Sequence, residues 1–83
     1  MRSYSFVAIL DYSENRVSIT FPDIPEAISC AKNGQEAIKN AEEVLHLCLV
    51  SRVKDGEEIP VATEINDIKI NGNQRILIVK CEL

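Results

Sequence analysis

Pro22 and Pro25 restrict what this chain can become more than any other pair of residues. They stand in Ile19-Thr20-Phe21-Pro22-Asp23-Ile24-Pro25. Each lacks the backbone N–H that a sheet ladder needs, so neither can lie inside a paired strand. The run therefore reads as a strand ending on Phe21, followed by a stiff, extended corner. In a chain of 83 residues one such corner fixes how two strands and a helix are joined. That length allows a single domain. Close to half of the residues are apolar, enough to build a core. A domain this small is marginally stable alone, so self-association or a bound partner is expected.

Before the corner, Tyr4 to Tyr12 reads as a strand, with Tyr4, Phe6, Ala8 and Leu10 on one face and Ser5, Val7, Ile9 and Asp11 on the other. Its middle is apolar on both faces, the mark of a central strand or one covered on both sides. Ser13-Glu14-Asn15 supplies turn chemistry. Arg16 to Phe21 then alternates, with Val17, Ile19 and Phe21 inward and Arg16, Ser18 and Thr20 outward. The two strands make an antiparallel hairpin. After the corner, Ala27 to Cys30 is expected to be a short third strand.

Asn33 and Glu36 have capping-box spacing, which starts a helix. It is predicted to run to about Lys54 and to stop at Asp55-Gly56, because glycine accepts the left-handed cap conformation. Ala37, Ile38, Ala41, Val44, Leu45, Cys48 and Leu49 form one apolar stripe for the sheet. Glu36, Lys39, Glu43 and Lys54 fall opposite. Leu47 and Val50 break the pattern, projecting onto the charged face beside Glu43 and His46. Such a pair on one turn of helix points to an interface.

Pro60 and Thr63 to Asn66 suggest a loop or a single helical turn, and Asn71-Gly72 marks a turn. Ile76 to Cys81 reads as the last strand. The order β-β-β-α-β gives an α+β fold, an antiparallel sheet with one long helix packed on one face. The second sheet face carries Val7, Ile9 and part of the last strand. A second copy of the chain would cover it.

Charge and cysteine usage narrow the setting. A formal net charge of −4, with Lys and Arg scattered, argues against a general nucleic-acid binder, which presents a basic stripe. An acidic surface would instead steer a basic partner toward it. Cys30, Cys48 and Cys81 are far apart and sit among apolar neighbours. They read as small buried apolar residues in a reducing compartment. With His46 the single imidazole, no ligand spacing for a metal exists. The apolar run after Met1-Arg2 is too short for a signal peptide and no segment approaches membrane-spanning length. The cytoplasm is the expected location.

Three strands followed by a helix and a strand are similar to part of a ribonuclease H fold, so a metal-dependent nuclease must be weighed. Such enzymes converge several carboxylates on metal ions. Asp11, Glu14, Asp23 and Glu26 lie near strand ends, but they suit turns and the corner, and none is braced mid-strand. His46 has no partner nucleophile, Ser3, Ser5 and Ser51 have no base, and the isolated glycines form no phosphate loop. No catalytic residue, metal site or cofactor is expected.

Three segments in order carry a family likeness: Val17-Ser18-Ile19-Thr20-Phe21-Pro22-Asp23-Ile24-Pro25, then Asn33-Gly34-Gln35-Glu36-Ala37-Ile38-Lys39-Asn40-Ala41-Glu42-Glu43-Val44-Leu45, then Asp55-Gly56-Glu57-Glu58-Ile59-Pro60. In these the chain resembles the HicB-like antitoxin family. The resemblance spans nearly all of it and implies a partial ribonuclease H-like fold without nuclease activity, a bacterial or archaeal setting, and a partner. That partner is a small basic HicA-type toxin that cleaves mRNA. The resemblance further implies dimers or larger assemblies. Many members carry a C-terminal DNA-binding module. This sequence stops at Leu83, so residues 1–83 are expected to be a single domain without that module and without direct operator binding. Glu26 stands where many relatives have glycine, and Lys32-Asn33-Gly34 replaces a Gly-Asp-Thr type of helix start.

The reading that follows is an antitoxin that masks the toxin sterically, with Asp23, Ile24 and Glu26 in the corner and Glu43, Leu47 and Val50 on the helix as partner-binding residues. The alternatives are an interaction or structural protein of the same fold without a toxin, and a residual nuclease.

Overall fold

The computed structural model of the chain describes residues 2–83. The elements run β1 (Ser3–Ser13), β2 (Arg16–Thr20), β3 (Ile28–Ala31), α1 (Gly34–Lys54), a short 3-10 turn (Ile65–Asp67) and β4 (Gln74–Glu82). This is the expected β-β-β-α-β order. The sheet is antiparallel with strand order β3-β2-β1-β4.

Alternation along β1 sets the register on both sides. Phe6 lies opposite Val79 and Leu10 opposite Ile19, so large apolar side chains of neighbouring strands meet on the helix side. The hairpin closes through Glu14-Asn15, with Ser13 paired to Arg16. β3 spans Ile28–Ala31 rather than Ala27–Cys30. The shift follows from the corner. There the Ile24 N–H donates to the Phe21 carbonyl at 3.1 Å and the Ala27 N–H to the Ile24 carbonyl at 2.9 Å. Two successive turns thereby send every third residue (Phe21, Ile24 and Ala27) into the core, and pairing cannot begin until Ala27 has been placed.

The helix starts and stops by the devices the sequence carries. Asn33 Oδ1 accepts from the Glu36 N–H at 2.9 Å, satisfying one of the free donors of the first turn. Glu36 reaches back to the Lys32 N–H at 3.3 Å, one residue earlier than in a standard capping box. At the other end Gly56 has φ 73°. The Glu57 N–H donates to the Arg52 carbonyl and the Gly56 N–H to the Val53 carbonyl, the pair of bonds that defines a Schellman stop.

Ala37, Ala41, Leu45 and Leu49 are the buried residues of the helix, spaced four apart so that one stripe faces the sheet. Val44 and Cys48 pack at its margins. Ile38, assigned to that stripe by the helical wheel, is exposed; the stripe is only as wide as the narrow sheet beneath it. Asn40 Nδ2 donates to the Cys30 carbonyl at 2.8 Å and fixes the helix against the β3 edge. The cysteines do not share one environment. Cys81 is buried and Cys48 half-buried, but Cys30 is exposed, because β3 turns Ala31 and not Cys30 inward. Part of the second sheet face is covered by this chain itself, where the sequence suggested a second copy. Val7 is only 3 % exposed, in a cleft lined by Ala62, Thr63, Glu64 and Ile65 of the same chain. Ile78 beside it stays half-exposed.

Candidate partner-binding surface

Glu26 and Arg52 join the corner to the last turns of the helix. The Arg52 Nε donates to Glu26 Oε2 at 2.6 Å and Nη2 to Oε1 at 2.9 Å, a two-pronged match of guanidinium to carboxylate. Arg52 Nη1 also donates to the Glu58 carbonyl at 3.3 Å, tying in the chain just after the helix. The Arg52 hydrogen bonds hold the Glu26 carboxyl below its ordinary value of 4.5, and the same contact raises Arg52. Both partners keep some contact with water.

Asp23 is held just as fully. Its Oδ2 accepts from the Thr63 N–H at 2.8 Å and its Oδ1 from the Thr63 hydroxyl at 2.6 Å. Ile24 is fully buried and belongs to the core beneath the corner. Pro22 and Pro25 stand outward with Glu26.

On the outer side of the helix Glu43 and Leu47 are exposed, Leu47 to 67 %. Val50 does not project outward with them. It is half-buried and turns toward the end of β4, lining with His46, Val53, Lys54, Glu82 and Leu83 a shallow depression of about 440 Å³. His46 is exposed, yet its Nδ1 lies 3.6 Å from Cys81 Sγ, so it bends over the sheet end rather than toward Glu43. The six residues thus fall into a corner set and a helix set, bridged by the Glu26–Arg52 pair.

The carboxylates weighed for nuclease chemistry have separate partners. Asp11 accepts from Gln74 Nε2 at 2.9 Å, Asp23 from Thr63 and Glu26 from Arg52, while Glu14 sits in the hairpin turn. Among the described residues no three His, Cys, Asp or Glu side chains gather where they could hold a metal ion. Burial pushes the thiols of Cys48 and Cys81 up, with the charges of Glu26 and Glu82 adding respectively. Both stay protonated at neutral pH, the unreactive form.

Sequence reasoning missed Thr63 and Arg52. Thr63 meets a residue 40 positions away, which no local pattern encodes. Arg52 carried only the weak signal of a cation in a last helical turn. Among the described residues no helix is long and apolar enough to cross a membrane.

The chain is thus an α+β domain, a four-stranded antiparallel sheet under one long helix. Residues 6–80 match the family described as HicB_like antitoxin of bacterial toxin-antitoxin system, and the chain belongs to that family. Two solved structures share the fold. One is a toxin–antitoxin complex from Streptococcus pneumoniae, 17 % identical, with a TM-score of 0.83 over 95 % of this chain and 69 % of that one. The other is the N-terminal domain of Burkholderia pseudomallei antitoxin HicB, 19 % identical, with a TM-score of 0.76 over 99 % of this chain and all of that one. A comparison with curated protein sequences finds no match.

Proposed function

We propose that this HicB-like domain neutralises a small basic toxin of the HicA type by covering the surface with which the toxin grips RNA. Occlusion asks for a stable, shaped surface and for no reactive group, and acidic residues on that surface complement the toxin's cations. The observation that carries the reading is the exposed Leu47 beside Glu43, on a helix held rigidly at both ends by its caps. A large exposed apolar side chain beside a carboxylate is the chemistry that docks a basic protein and expels water at the centre of contact.

The corner contributes in a different way. Asp23 and Glu26 already hold internal partners, so they offer the toxin the remaining lone pairs of fixed carboxylates. Ile24 acts through the shape it gives the corner. Val50 contributes from the neighbouring depression at the end of β4 and not from the outer face that carries Leu47. In this reading the domain works in the cytoplasm, self-associates, binds no DNA directly and is not an enzyme.

Co-expression with a basic HicA-type toxin tests the proposal. A stable complex on purification, together with relief of toxin-induced growth arrest, is the expected result. Absence of both contradicts it.

A further inference from the structure

The geometry points to residues 59–70 as a strap that opens as a unit, latched on Asp23, and whose opening uncovers apolar surface on the second face of the sheet. Three observations carry this. Among the described residues, the only hydrogen bonds leaving residues 59–70 are the two from Thr63 to Asp23. The other bonds of the segment are internal, from the Asp67 N–H to the Glu64 carbonyl and from the Ile68 N–H to the Ile65 carbonyl.

None of these residues is fully buried, and Val61 is 93 % exposed. Only Ile59, at the start of the segment, packs against the core; a segment with so few buried contacts opens at far lower cost than the domain unfolds. What lies beneath is the opposite in character. Val7 is 3 % exposed at the floor of a cleft of about 220 Å³ between β1 and the strap, next to the half-exposed Ile78. In the first half of β1, moreover, Ser3–Ala8 pair with β4 alone, since β2 pairing begins at Ile9. The strap thus lies where β1 lacks its second neighbour. Opening it exposes Val7 and more of Ile78 to solvent while the helix side of the sheet stays packed.

Amide hydrogen exchange of the full chain tests this, with fluorescence of the apolar dye anilinonaphthalene sulfonate as a second readout. In Asp23→Ala the amides of Thr63, Asp67 and Ile68 should exchange about tenfold faster or more and by a common factor, with dye fluorescence increased. Exchange of Ile9 in β1 and Leu45 in the helix should not change. Thr63→Val, which keeps the amide bond and removes the hydroxyl, should give a smaller change in the same three amides. If Asp23→Ala does not fold, the Thr63→Val result decides alone. Unchanged strap amides, or acceleration only in step with Ile9 and Leu45, would overturn the inference.

Discussion

Glu26 and Arg52 face each other with both carboxylate oxygens in contact with the guanidinium, at 2.6 and 2.9 Å, across 26 positions of sequence. Glu26 directly follows Pro25, at the outer end of the corner. Its carboxylate gives this chain a clamp between the corner and the end of the helix.

That clamp makes a pH-dependent contribution. Because Glu26 is depressed below 4.5 in the folded state, its contribution is complete above the unfolded value near 4.5. It fades as pH falls through the lower folded value. The pair is partly exposed, so solvent screening limits it to about 0.5–1 kcal/mol. Glu26→Gln should therefore lower stability by about that amount at pH 7 and by nothing measurable well below the folded value, as read by denaturant unfolding at both pH values.

The helix stripe predicts a larger loss. Leu49 is fully buried against the sheet, and truncation removes both its transfer energy and its packing. Leu49→Ala should cost about 2–4 kcal/mol, whereas Leu47→Ala should change stability by less than about 0.5 kcal/mol. Thermal unfolding of the two variants separates core from surface on the same helix.

The helix ends are separately testable. Asn33→Ala removes the acceptor for the Glu36 N–H and should cost about 1 kcal/mol. Gly56→Ala forces a side chain into a left-handed backbone and should cost about 1 kcal/mol. Neither substitution should alter partner binding, because both act on stability away from Leu47.

Thiol reactivity checks where the strands turn their side chains. Cys30 is exposed and Cys81 buried, with the Cys81 thiol raised. A disulfide reagent should modify Cys30 first in the native protein and reach Cys81 only on unfolding. Equal rates for the two would contradict the assigned β3 register.

Much of the fold was legible because its elements are punctuated locally. Alternation in Arg16–Phe21, the Asn33 cap, the Asp55-Gly56 stop and the two prolines each act over a few residues, and each lies where it was expected. The β3 boundary was missed by one residue because Ile24 and Ala27 are set by turn bonds that the sequence does not display. Ile38 and Val50 were misplaced because a helical wheel cannot know how wide a sheet is or where it ends, and Cys30 because β3 begins one residue late and turns Ala31 inward instead.

The candidate surface was less legible. Leu47 stood out as an apolar break in a charged face, and it is indeed exposed. Asp23 and Glu26 stood out as acids in a motif, but their engagement with Thr63 and Arg52 is long-range. Only the folded chain brings those partners together.

The measurement that bears most directly on the masking account is calorimetric titration of a basic HicA-type toxin with the wild-type domain, with Leu47→Glu and with Glu43→Lys. The account predicts a tight complex, weakened at least tenfold by each substitution, which is about 1.4 kcal/mol, while thermal stability stays near wild type. Binding that is undiminished in both variants would contradict it, as would no binding by the wild-type domain.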